Sequence, residues 1–155
     1  MLKQKRLQNS FKWIPLHLRN GGFPPRKPDM RMPIFWLTRN GNELFFVNDS
    51  DETLDLVTTE SSGFQTCDDV VMGISSNDSY RYSDVKPHEA VKVEEYDDFY
   101  DADFILQVSI FVQSKTKGNF LMRTRPQKGG IGELVLLWDT GETGKNVCLK
   151  WIKYE

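Results

Sequence analysis

The chain has 155 residues, 39% of them hydrophobic and 27% charged, with a net charge of −2. That length suits one domain with a real core, and that share of charged residues is typical of a soluble surface. No apolar run approaches the roughly 20 residues of a membrane-spanning helix, and Lys3, Lys5, Arg6, Lys12 and Pro15 interrupt the apolar core that a secretory signal needs.

The small net charge hides a division. Residues 1–32 hold eight basic side chains against Asp29 alone, and the remaining residues hold twelve basic and twenty-one acidic ones. The chain therefore divides into a basic leader, 1–32, and an acidic body, 33–155. Cys67 and Cys148 lie far apart without metal-type spacing. Two reduced thiols and no export signal point to a cytoplasmic protein.

In the leader, Leu7, Phe11, Ile14 and Leu18 recur at helical spacing, with Pro15 inside the pattern. The expectation is a short helix or a mostly irregular tail, followed by the Gly- and Pro-rich stretch from Asn20 to Pro28. From Pro33 the period changes to two. Ile34 to Arg39 reads as a strand, and Asn40-Gly41-Asn42 as a tight turn. Glu43 to Asn48 answers it, with Leu44 and Phe46 on one side and Phe45 and Val47 on the other, so both faces are expected to be covered.

Asp49 to Glu52 is turn chemistry. Thr53 to Thr59 follows, with Leu54 and Leu56 alternating with Asp55. Val70, Met72 and Ile74 mark a further strand, Tyr80 to Tyr82 another, and Val91 with Val93 another. The cleanest alternation runs from Phe104 to Gln113, with Phe104, Leu106, Val108, Ile110 and Val112 on one side and Gln107, Ser109 and Gln113 on the other. Asn119 to Arg125, Glu133 to Asp139 and Asn146 to Ile152 complete the set. The last two are expected to form a hairpin about Thr140 to Lys145, and Trp36, Trp138 and Trp151 to lie in the core.

Short strands with regular turn signals predict an all-β, antiparallel β-sandwich of about seven to nine strands. The connections Phe46 to Leu56 and Asp84 to Val93 resemble those of immunoglobulin-like sandwiches, although the Cys…Trp…Cys arrangement of antibody domains is missing.

The strongest chemical feature is the stretch Glu94 to Asp103. Six carboxylates, Glu94, Glu95, Asp97, Asp98, Asp101 and Asp103, are interleaved with Tyr96, Phe99 and Tyr100. Clustered carboxylates speed encounter with a cation-rich partner, and aromatic rings supply the contact area that holds binding energy. The expected function is a non-catalytic module that binds a positively charged protein, in an inhibitor or immunity-like role. The alternative is a calcium-binding β-sandwich, because calcium takes about six to eight oxygen ligands and these aspartates offer several; Asp68, Asp69 and the Asp49–Glu52 turn would have to join them. The EF-hand pattern is absent, and no metal or other cofactor is expected.

Asp139-Thr140-Gly141 resembles the motif of aspartic proteases, whose chemistry needs two facing aspartates sharing a proton. Glu142 stands where that family has a small residue, so the bland reading is a turn tip. His17 and His88 are the two histidines, which leaves one in the body and no assembled acid, base and nucleophile. No enzyme is expected. Lys115, Lys117, Arg123, Arg125 and Lys128 form a basic cluster with little aromatic interleaving. It reads as a solvated sheet face that pairs with acidic loops rather than as a nucleic-acid site.

Overall fold

Alternating side chains become a sheet only when their inward face finds a second apolar layer. The structure, a computed structural model, describes residues 5–8, 31–67, 70–75, 80–96, 104–128, 130–144 and 146–152. These form twelve strands and no helix: β1 (Arg6–Gln8), β2 (Pro33–Asn40), β3 (Glu43–Asn48), β4 (Leu54–Cys67), β5 (Val70–Ser75), β6 (Tyr80–Val85), β7 (Glu89–Glu95), β8 (Phe104–Ser114), β9 (Gly118–Arg123), β10 (Gln127–Lys128), β11 (Leu134–Trp138) and β12 (Cys148–Ile152). Among the described residues no helix is long and apolar enough to cross a membrane.

All pairings are antiparallel. One sheet has the order β1-β7-β3-β2-β11, and the other β12-β9-β8-β4-β5, with β10 also on β8 and β6 also on β4. The long strand β4 is paired along one side in two instalments, Leu54 to Thr59 with β6 and Ser62 to Cys67 with β5. Between the sheets lies one core, to which Phe35, Leu37, Leu44 and Phe46 contribute from the first sheet and Val57, Tyr82, Ile110, Val112, Phe120 and Met122 from the second. Phe35 stacks on Phe46 at 5.6 Å and reaches Phe120 across the gap at 6.0 Å. The architecture is all-β and sandwich-like.

The β2–β3 hairpin closes through Gly41 and Asn42, and Gly41 supplies the positive φ (62°) that such a two-residue loop requires. Beyond it both faces of β3 are buried, as its unbroken apolar run requires: Leu44 and Phe46 face the core, and Phe45 and Val47 join Trp36 and Ala90 in a second cluster. In β8, Val108, Ile110 and Val112 are buried while Gln107 and Ser109 are half-exposed, in step with the alternation.

Four sequence expectations need correction. In β4 the inward positions past Leu54 are Val57 and Thr59, while Leu56 is half-buried; pairing of Val57 with Val112 sets that parity. The chain from β11 to β12 is no hairpin, because β11 pairs with β2 and β12 with β9, in different sheets. A tight turn does form, with the Trp138 amide donating to the Glu142 carbonyl, but Val147 N–H folds back onto the Gly144 carbonyl and Asn146 takes a positive φ (62°), which redirects the chain.

Trp151, expected inside, is 55% exposed on the edge strand β12 and rests its edge against Phe120 at 5.2 Å. Trp138 is half-buried, with the Arg31 guanidinium over its ring. Finally, Leu7 does not begin a helix: it lies in β1, paired with Ala90 on the edge of β7. An open sheet edge offers a passing chain backbone partners at alternate residues, and that outweighs a helical spacing interrupted by Pro15. Phe11, Ile14 and Leu18 lie outside the described residues.

Candidate functional site

The acidic stretch begins at the end of β7, where the chain leaves the first sheet, and ends where β8 enters the second. Of the nine residues singled out there, Glu94, Glu95 and Tyr96 are described; Asp97, Asp98, Phe99, Tyr100, Asp101 and Asp103 lie outside the described residues. The three described ones divide sharply.

Tyr96 is buried and belongs to the core. Its hydroxyl accepts the Ile131 amide N–H at 3.0 Å, and its own amide donates to the Asn42 carbonyl at 2.7 Å. Arg39 stacks its guanidinium over the ring at 4.6 Å. Gly130 (φ 101°) packs so closely that a Cβ there would come within 2.7 Å of the ring. Tyr96 is thus a clamp holding the start of the acidic segment to the body.

Glu95 remains exposed and takes a 2.9 Å ion pair from Lys92. Lys92 also reaches Glu43 at 3.2 Å, and Glu43 in turn holds Lys5 at 3.1 Å. The Lys92 side chain is 3% exposed. Burial pushes its ammonium toward neutrality, and the hydrogen bonds to Glu95 and Glu43 outweigh that and raise its pKa. Burial likewise pushes the Glu43 carboxyl up, and the hydrogen bonds from Lys5 and Lys92 reverse it, leaving a net lowering. Glu94 is half-buried, with one carboxylate oxygen accepting the Glu95 amide N–H at 2.9 Å. The sequence hid Lys92 among the valines of β7; its one signal was its position on the face opposite Val91 and Val93.

The second acidic turn, Asp49 to Glu52, is built differently. Asp49 accepts the Trp36 indole N–H at 2.6 Å and meets His88 Nδ1 at 3.2 Å. Glu52 accepts hydrogen bonds from the hydroxyls of Ser114 and Thr116 and pairs with Lys117 at 3.3 Å. Burial pushes the Glu52 carboxyl up, but the Ser114 and Thr116 hydrogen bonds and Lys117 hold it below the usual carboxylate range. Asn48, fully buried beside them, donates Nδ2 to the carbonyls of Glu52, Val85 and Lys86 and accepts from the amide and hydroxyl of Ser50. These groups brace the ends of β3, β4, β6 and β8 against one another.

Lys117 and Lys115, from the basic cluster, are paired with Glu52 and Asp55, the latter at 3.9 Å, and Arg123 donates to Ser109. Asp139 and Thr140 are exposed at the tip of the turn that ends β11, where Asp139 N–H donates to the Met32 carbonyl. Cys148 is free and exposed. Among the described residues no group of three or more His, Cys, Asp or Glu side chains is placed to hold a metal ion. Compared with protein-family models, with curated proteins and with solved structures, the chain matches none of the three sets.

Proposed function

We propose that this chain is a non-catalytic binding module, built on an immunoglobulin-like sandwich and acting in the cytoplasm. It engages a positively charged protein through the segment from Glu94 to Asp103, in an inhibitor or immunity-like role. The observation that carries this reading is the clamp at Tyr96. It fixes the point from which the acidic segment leaves the body, and a tethered recognition segment loses less freedom on binding than a free one.

Charge supports the same reading. From Asp97 to Asp103 the sequence has four aspartates, Phe99 and Tyr100, and no basic residue. The leader cations Lys5 and Arg6 are matched to Glu43 and Glu89, carboxylates outside that segment. The two sheets with one core, and a chain that changes sheet between β7 and β8, accord with the broad immunoglobulin-like class. The cytoplasmic assignment rests on the thiol at Cys148, which is free.

The test is association of the full chain with an immobilised basic protein of pI above about 9. Asp97→Lys with Asp98→Lys should slow association by about tenfold or more, and added salt should slow the wild type in the same way. Association that ignores both changes would rule the reading out. A calcium titration that raises the melting temperature of the wild type, and not of the double variant, would replace it with a metal site.

A further inference from the structure

The short strand β1 occupies the outer edge of β7 in a manner that reads side chains as well as backbone. Arg6 faces Val91, Leu7 faces Ala90 and Gln8 faces Glu89, and the Lys92 amide donates to the Lys5 carbonyl at 2.9 Å. Alternate side chains then part to two sides. Lys5 pairs with Glu43 and lies 5.9 Å above the Phe45 ring. Leu7 packs on the cluster of Trp36, Phe45, Val47 and Ala90, which covers the face of the sheet turned away from the main core. Register puts Val135, Trp36, Val47, Ala90 and Leu7 in one row across all five strands.

Arg6 points to the seam between the sheets. It meets the Glu89 carboxylate at 2.9 Å, the Ser83 carbonyl at 2.6 Å and the Asp84 carbonyl at 3.3 Å, with its guanidinium 5.4 Å from the Tyr82 ring. The Glu89 side chain is 7% exposed, so losing its cation would leave a buried charge without compensation. The Tyr82 hydroxyl joins the two sheets, donating to the Lys92 carbonyl at 2.5 Å and accepting the Lys5 amide N–H at 3.2 Å. Burial pushes that phenol up to about 12, so it stays protonated and keeps its donor role.

We propose that the β7 edge is a strand-binding groove for an extended basic–basic–aliphatic segment, and that the leader's own Lys5–Gln8 is its resident occupant, exchangeable with a peptide of the same chemistry. Backbone pairing at an open edge supplies affinity, and side-chain pockets at alternate positions supply selectivity. Here the pockets are the Glu43–Phe45 shelf for the first cation, the Glu89–Ser83–Asp84 fork for an arginine, and the Trp36–Ala90 patch for the aliphatic residue. Exchange is feasible because β1 has three residues against seven in β7, and because 24 residues separate Gln8 from Pro33. A tether of that length holds its end at millimolar effective concentration, not irreversibly.

The test uses the full chain and a fluorescent peptide copying Lys3 to Ser10, followed by anisotropy. A chain with Arg6→Glu and Leu7→Asp, whose resident strand is weakened, should bind the peptide at least about tenfold more tightly than the wild type, because more of its grooves stand open. Adding Glu89→Arg to that chain should abolish binding, and a peptide carrying Arg6→Glu should regain it. Equal binding by wild-type and weakened chains, or indifference to Glu89→Arg, overturns the proposal. Should the weakened chain fail to melt cooperatively, hydrogen exchange on the unmodified chain decides. The Lys92 amide, bonded to Lys5, should exchange before the β2–β3 ladder; exchange of both at one rate overturns it. A concentration-dependent dimer in light scattering would assign the strand to a second copy and so overturn residence within one chain.

Discussion

Two acidic segments in this chain look alike on paper and differ in the fold. Asp49 to Glu52 and Glu94 to Asp103 are both runs of carboxylates at strand ends. In the first, Asp49 and Glu52 are met by donors from distant parts of the chain: the Trp36 indole, the hydroxyls of Ser114 and Thr116, and Lys117. In the second, the clamp is an aromatic residue, Tyr96, and the described ion pairing reaches Glu95 through Lys92. At Asp49 and Glu52 the carboxylates brace the fold because of the supply of donors around them. That supply comes from residues more than 60 positions away at Glu52.

The comparison can be broken at its anchors. Tyr96→Ala removes a buried ring and should cost about 4 kcal/mol in urea unfolding. Tyr96→Phe removes the hydrogen bond to Ile131 and should cost about 1 kcal/mol. The gap between them separates the packing of the clamp from its bond to Ile131. On the other side, Asn48→Ala takes the Nδ2 donor from the buried Val85 carbonyl and should cost about 3 kcal/mol in the same measurement.

A smaller effect sharpens it. The folded-state pKa of Glu52 lies below its ordinary value of 4.5, so its bonds stabilise the fold above that pH and lose their value as pH falls through the folded pKa. Glu52→Gln should cost about 1 kcal/mol at neutral pH. Its deficit should shrink on acidification below 4.5, as thermal melts across that range would show. The smallest stability effect is expected at the other acidic segment. Asp97→Asn with Asp98→Asn should stay within about 0.5 kcal/mol of the wild type in urea, as the proposed role of these carboxylates toward a partner rather than the fold requires.

Two strands were legible from pattern alone. The alternation of β8 foretold Val108, Ile110 and Val112 inside, and the apolar run of β3 foretold a sheet covered on both faces. Local pattern failed where a distant partner decided the outcome. The strand at Leu7 exists because β7 presents an open edge, and nothing in residues 1–32 announces that edge. β11 carries three successive buried residues, Val135, Leu136 and Leu137, with its register to β2 shifting among them, so a period-two reading could not assign its faces. Trp151 sits at an edge, where half of a large ring stays wet. Tyr96 was visible as an aromatic among acids, but its clamp is made by Ile131, Gly130 and Arg39, each far along the chain.

The division between the two acidic segments comes down to a single pairwise measurement: association rates with a basic protein at low and moderate salt, taken side by side for Asp97→Lys/Asp98→Lys and for Glu52→Gln. Slower, less salt-sensitive association in the first variant, and an unchanged rate in the second, is the predicted result. Equal rates in both, or a loss confined to Glu52→Gln, would contradict the assignment of the Glu94–Asp103 segment to a partner.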